Sequence, residues 1–488
     1  MRIGTRKVAL TLVSLCMASS AWARPDDGSG LYTYDPADTL AFWDVPSGDV
    51  RVHFSVDGPN ATLLADLDED GVPDFPSLVG YEVAEVLYFF EEAGFRRPIA
   101  EGAVGLSEPG GSEALDVYLV DFGGSADGMF GVDRCSDGVC AGHLIIENDF
   151  SGYGYPSLEE AAQILASHEL FHAVQYAYVD DLDPWFSEGT ATWAEHLYRP
   201  EVDDYLRFCR AYLADSGRSI DRPPSGMVTA FAYGTALFFG FVQEQYGADR
   251  IVVMLETLAA AGDGNEVAAV AEALGEVGVG FDTVWPQFAA WNLATGPRSG
   301  GLESYPYADG LHPGIQAEAI AESVVEEHRF YPLAASYFRV QHPGGELLLG
   351  LAEDNDEAVH FAVFPTTDTG VVLPALLEWQ PSEAKIESLG TQPAGDYWLV
   401  GNYPAAADSS AVRLFCFGGP DAMEPCRPEE SETDSGEPIG DTAAPEAEAS
   451  DRRRSAGKGG GCTTLPGHPG SGLFFALLGL MMGARRRA

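Results

Sequence analysis

The sequence predicts an α+β domain over residues 50–315, a small all-β sandwich over 316–426 and a disordered linker over 427–461. Three observations carry that reading. Up to residue 147, short β-branched runs are parted by Gly, Asp and Pro turns, and from 157 to 275 apolar residues recur at helical spacing. After about residue 320 the chain returns to alternating apolar and polar positions between turns. From 427 to 461 it is rich in Glu, Ser, Pro, Ala and Gly, which bury too little apolar surface to offset the entropy of ordering. A length of 488 residues with 46% hydrophobic content suits two or three domains with a sizeable core.

In chain order, Arg2, Arg6 and Lys7 precede an apolar run from Val8 to Ala18, and Ala21-Trp22-Ala23 fits a small-x-small cleavage site. Residues 1–23 therefore read as an export signal cleaved after Ala23; Leu15 before Cys16 suits a lipoprotein signal poorly. Residues 24–49 read as extended, Val50–Ser55 as a strand, and Leu78–Ala93 as a helix. Leu115–Val120 and His143–Glu147 are expected strands. The strongest helix spans about 157–178, opened by Ser157 and Glu160 as a capping box. Further helices are expected near 187–198, 202–214, 230–246, 249–260 and 265–275. In the sandwich, Tyr337–Val340, Glu346–Leu351, His360–Val363 and Tyr397–Val400 are expected strands, serving substrate binding or acting as a spacer. Cys135 with Cys140 and Cys416 with Cys426 are candidate local disulfides in an oxidising compartment, and Cys209 a buried free thiol.

Acidic residues outnumber basic ones 75 to 27, for a net charge of −48. Such a surface repels phosphate backbones, which argues against nucleic-acid binding, and it favours solubility and cation binding.

His168-Glu169-Leu170-Phe171-His172 carries the chemistry. Two histidines four apart on a helix project from one face, one turn apart, so two neutral imidazoles can reach one tetrahedral Zn²⁺. Glu169 can then meet a water at the metal without ligating, as a general base. Ala161, Leu165, His168 and His172 share one helical stripe, the expected buried one, where unpaired imidazoles are costly. The alternative is a pair of hydrogen-bonded core histidines.

Downstream, Trp185-Phe186-Ser187-Glu188-Gly189-Thr190-Ala191 opens a second helix, with Glu188 fifteen intervening residues past His172. The pairing of HExxH with a Glu-Gly-x-Ala helix resembles the gluzincin peptidases. The resemblance implies a zincin-like metallopeptidase domain, with His168, His172 and Glu188 as zinc ligands and Glu169 as base. The chain departs from the thermolysin-like branch in having Thr192 where that branch has an Asp that orients a ligand. Glu195 is a candidate for that orienting role and, lying on the same helix face, an alternative third ligand. Glu188 is favoured because Gly189 and Ala191 leave room for the two helices to approach. Tyr233 could supply an oxyanion donor or be a core aromatic beside Phe238 and Phe239.

Asp66-Leu67-Asp68-Glu69-Asp70-Gly71-Val72-Pro73-Asp74 alternates carboxylates around a Gly, a pattern that wraps Ca²⁺. Asp66, Asp68, Asp70 and Asp74 are the candidate ligands. Ser77 stands where an EF-hand has its bidentate Glu, and the loop resembles those of dockerin or thrombospondin-type repeats. Loop, helix, Asp116–Leu119 strand, HExxH and Trp-Phe-x-Glu-Gly in that order resemble a family of secreted bacterial metalloproteases. Residues 462–488 combine a Gly-Gly-Gly-Cys, a short apolar run and Arg485–Arg487, which resembles the myxobacterial-type and Gly-Gly-type C-terminal sorting tails. That tail implies a processing protease at the membrane as partner and an outer, cell-surface location. The function expected is a zinc peptidase acting on protein or peptide substrates; the alternative is a surface adhesin on a metal-stabilised scaffold without turnover.

Overall fold

The computed structural model describes residues 24–427, apart from 29–31, 108, 226–227 and 263. The expected export signal, all but the first residue of the linker, and the C-terminal tail lie outside the described residues. Within them the chain is mixed α and β.

β1 (Leu40–Asp44), β2 (Val50–Ser55), β3 (Leu115–Val120), β4 (Gly128–Ser136) and β5 (Val139–Glu147) form one sheet in the order β1-β2-β3-β5-β4. The three inner strands are parallel and both edges antiparallel. α1 (Asp74–Glu92) supplies the crossover from β2 to β3, as a parallel pair requires. Alternation decides the two faces. Val52, Phe54, Val117, Leu119, Leu144 and Ile146 point into a core shared with α1 and α2 (Leu158–Gln175). Tyr118 and Ile145 point the other way and pack with Tyr34 of the N-terminal segment. There the buried Arg24 guanidinium meets Glu101, Asp116, Asp133 and the Tyr118 hydroxyl.

α2 begins where expected, with Ser157 Oγ accepting from the Glu160 amide at 3.1 Å. It is buried nearly all round rather than along one stripe: Ala162, Ala166, Phe171 and Val174 are as buried as Leu165 and His168. α3 (Pro184–Tyr198) starts three residues earlier than read, with Pro184 at its first position, where a missing N–H costs nothing. α4 (Leu206–Ala214) follows. The expected helix over 230–246 is two, α5 (Ala230–Gly234) and α6 (Ala236–Tyr246), parted at Thr235. Thr235 Oγ1 lies 2.6 Å from the Trp185 carbonyl, tying this break to α3. A Cβ on Gly189 would lie 2.2 Å from that same Oγ1. Gly189 therefore makes room for the α5–α6 junction, which corrects its expected role toward the histidine helix. α7 (Asp249–Ala261), α8 (Glu266–Glu276) and α9 (Phe281–Leu293) complete the helical part, the last not read from sequence.

β6 (Ala319–Ala321), β8 (Ala334–His342), β10 (His360–Pro365), β11 (Leu377–Trp379) and β13 (Gly395–Tyr403) form a second sheet in the order β11-β10-β13-β8-β6. β7 (Val324–Phe330), β9 (Gly345–Leu351), β12 (Lys385–Gln392) and β14 (Ala411–Gly418) form a third, ordered β12-β9-β14-β7. Phe338, Val363 and Leu399 of one meet Leu349, Phe415 and Phe417 of the other in a common core. The second sheet's other face packs on α9: Tyr337 and Val400 join the helical core, and the Tyr337 hydroxyl donates to the Ala289 carbonyl at 2.9 Å. An apolar, hydrogen-bonded joint of this kind does not suit a spacer. Both expected cysteine pairs are bonded, Cys135–Cys140 and Cys416–Cys426, and Cys209 is buried and free.

Candidate metal centre

His168 and His172 sit in the middle of α2 and Glu188 in the first turns of α3, and the sheet's β4–β5 hairpin backs α2. One ligand atom from each of the three residues lies within 4.8 Å of the others. His168 Nε2 is 3.4 Å and His172 Nε2 3.6 Å from Glu188 Oε2. Those separations are long for hydrogen bonds but close to the edge of a tetrahedron, about 3.3–3.4 Å for ligands about 2.0–2.1 Å from a centre. His168 Nε2 and Glu188 Oε2 are buried without a hydrogen-bond partner, which a buried polar atom tolerates only with a cation or water to meet it. The residues present therefore fit a tetrahedral divalent cation.

The outer ring nitrogens are held as well. His168 Nδ1 lies 2.6 Å from Glu195 Oε1, and His172 Nδ1 2.9 Å from Gln175 Oε1. Gln175 is fixed in turn, donating to the Ser187 carbonyl and Thr190 Oγ1, both at 2.7 Å. Such partners set the tautomer and leave each Nε2 free to ligate. Glu188 and Glu195 thus both reach His168, one at each ring nitrogen. Sequence reasoning named Glu195 and missed Gln175, although its place three residues after His172 on one helix was readable.

Glu169 is 1% exposed, and its Oε1 has no partner. Burial pushes its carboxyl up to about 7, against the pull of His168 and His172. Burial also works to raise Glu188, but the two imidazoles outweigh it and bring it down to about 2. Two neighbouring carboxyls are therefore set apart, one to hold negative charge and one to exchange a proton near neutrality. Gly128 presses on this spot: a Cβ there would lie 2.9 Å from Glu169 Oε1. Asp127 beside it is buried and accepts from the Tyr155 hydroxyl at 2.6 Å, and burial pushes it up to about 6. Asp127 was not found from sequence because β4 was not predicted. Tyr233 is buried with an unpartnered hydroxyl, its ring centroid 5.8 Å from that of His168. A cleft opens on Glu169, His172 and Glu188, walled by Met129, Phe130 and Tyr176.

In the acidic loop, Asp66, Asp68 and Asp74 converge within 4.8 Å and Asp70 does not join them. Asp70 Oδ1 instead accepts from the Val72 amide at 2.8 Å. Among the described residues no helix is long and apolar enough to cross a membrane.

No protein-family model matches this chain, and no curated protein does. A crystal structure of Legionella pneumophila aminopeptidase A in complex with aspartic acid is a distant structural neighbour, with a TM-score of 0.31 and 14% identity. The match covers 74% of this chain but only 35% of that one, so the chain spans about a third of its length.

Proposed function

We propose that this chain is an exported zinc metallohydrolase that cleaves peptide bonds. The observation that supports it most is the convergence of His168 Nε2, His172 Nε2 and Glu188 Oε2 beside the unpartnered, buried carboxyl of Glu169. A zinc ion bound there would supply Lewis acidity toward a water and the carbonyl of the scissile amide. Glu169 Oε1 takes the proton of the attacking water and passes it to the leaving amine, work suited to a carboxyl that titrates near neutrality. The Tyr233 hydroxyl, buried without a partner, donates to the oxyanion. Glu195 and Gln175 hold the two imidazoles in register. A peptide substrate suits the cleft because β4, which walls it, is an edge strand whose free backbone groups can pair with an extended chain. Without turnover, an adhesin scaffold has no use for a buried Glu169 whose Oε1 lacks a hydrogen-bond partner. Two disulfides agree with export to an oxidising compartment.

Purified protein should carry about one zinc per chain and hydrolyse casein. Glu169→Gln should keep the zinc and lose turnover by about two or more orders of magnitude. Comparable turnover in that variant would sink the reading. We further propose that Asp66, Asp68 and Asp74 hold a structural Ca²⁺ against the start of α1. Calcium chelation should then lower the melting temperature, and Asp68→Ala should abolish that response; a response surviving in Asp68→Ala would place the calcium elsewhere.

A further inference from the structure

A cavity between α9 and the outer face of the second sheet lies apart from the metal centre. It encloses about 1300 Å³ including its open mouth and shares no residue with the cleft at the metal centre. Its floor is set by strand alternation: Phe361 and Val363 enter the sandwich core, so His360, Ala362 and Phe364 face the cavity. His360 lies directly opposite Asn402 across the β10–β13 pair, which brings both side chains to one place. Asn402 is 1% exposed, and its Oδ1 has no hydrogen-bond partner; nor does His360 Nε2. Burial lowers the His360 pKa, so the ring stands neutral. At the mouth are the exposed carboxylates of Asp282, Glu303 and Glu378. Among the described residues no Lys or Arg lines the cavity.

This is a buried, unpaired acceptor, Asn402 Oδ1, beside the unpartnered ring of His360 and under an acidic rim. Anions are excluded by the charge, and a purely apolar ligand would leave Asn402 Oδ1 buried and unpaired at a cost. What satisfies it is a hydrogen-bond donor bearing positive charge on an apolar stem. That is the chemistry of a lysine or arginine side chain, whose methylenes would lie over Phe364, Ala362 and Pro286 while its head meets Asn402 and the rim.

We propose that this cavity binds a basic side chain of a protein substrate, holding it to the enzyme away from the metal centre. That the ligand is a substrate rests on the peptidase reading; that the cavity takes a basic side chain does not.

Binding of a fluorescein-labelled hexalysine peptide, followed by anisotropy at low salt, separates the two. Wild type and Glu169→Gln should bind alike. Asp282→Asn with Glu378→Gln should weaken binding by about threefold to tenfold, since exposed ion pairs are individually modest. Pro374→Arg, which sets a cation in the mouth, should weaken it at least as much. A control pair of exposed carboxylates elsewhere, Glu272→Gln with Asp408→Asn, should change it little. If the control weakens binding as much as the rim variant, the peptide is drawn by the net charge of −48 alone and the proposal fails. It also fails if neither the rim variant nor Pro374→Arg has any effect. Intact hexalysine binding in a protein that shows no hydrolysis would leave the cavity standing and remove the peptidase reading instead.

Discussion

His168 is gripped from both sides, with Glu188 at Nε2 and Glu195 at Nδ1, so the two carboxylates of α3 have different work despite sharing a helix face. Seven residues set them about 10 Å apart along the axis, and an imidazole between them spans part of that gap. Glu188→Gln should cost most of the zinc affinity, because a ligand charge is lost. Glu195→Gln and Gln175→Ala should each cost about 10–100-fold, the range for groups that only orient a ligand. Zinc titration of the three variants checks the ranking. A larger loss from Glu195→Gln than from Glu188→Gln would move the third ligand to Glu195. Gln175→Ala also removes the tie from α2 to the Ser187 carbonyl and the Thr190 hydroxyl at the start of α3.

At the scale of the element, the N-terminal segment is pinned by one side chain. Arg24 is 3% exposed and offsets the charge of Glu101, Asp116 and Asp133, on the sheet face opposite α2. Its partners come from the loop before β3, from β3 and from β4, so it ties the edge strand that walls the cleft to the strands beneath. Arg24→Met keeps the apolar stem but leaves the buried carboxylates of Asp116 and Asp133 with their cation gone. It should destabilise the fold by about 3–5 kcal/mol, read as a lower urea midpoint at unchanged slope. A loss below about 1 kcal/mol would mean that His53 and His143, which touch Asp116 and Asp133, compensate alone. Gly128 belongs to the same argument from the other face: a Cβ there would lie 2.5 Å from Leu165 Cδ1 and 2.9 Å from Glu169 Oε1 and would push on both.

Over the whole molecule the buried acids set the pH response. Burial pushes Glu101, Glu147 and Glu266 each up to about 7 from an ordinary 4.5. The folded state therefore holds these protons more tightly than the unfolded chain. The stability they contribute is complete below pH 4.5, is lost progressively as pH rises to about 7, and is constant above it. Self-repulsion at a net charge of −48 works in the same direction. In acid, Asp116 and Asp133 take over: burial opposes them, but His53, His143 and Arg24 hold both below 3.8, and their contribution fades as pH falls through that range. Urea midpoints should peak near pH 4–5 and decline toward pH 7. A midpoint that rises from pH 5 to 7 would contradict this assignment of buried protons.

The sequence by itself determined what repeats along the chain or within one helical turn. The spacing of His168, Glu169 and His172, the Ser157 cap, the switch from helical to alternating pattern near residue 320 and both cysteine pairs are local, so nearest-neighbour geometry was enough to read them. Glu188 came by resemblance. Only the tertiary structure decided what depends on segments far apart in sequence. It set Glu195 and Gln175 on opposite imidazoles and turned Gly189 toward Thr235 rather than toward α2. It placed β4 against Glu169 and closed a cavity between α9 and a sheet that begins 26 residues after α9 ends (319 minus 293). Burial explains the divide: α2 is enclosed on every side, so no apolar stripe marks its functional face, and which neighbour meets which side chain is settled only when the layers pack.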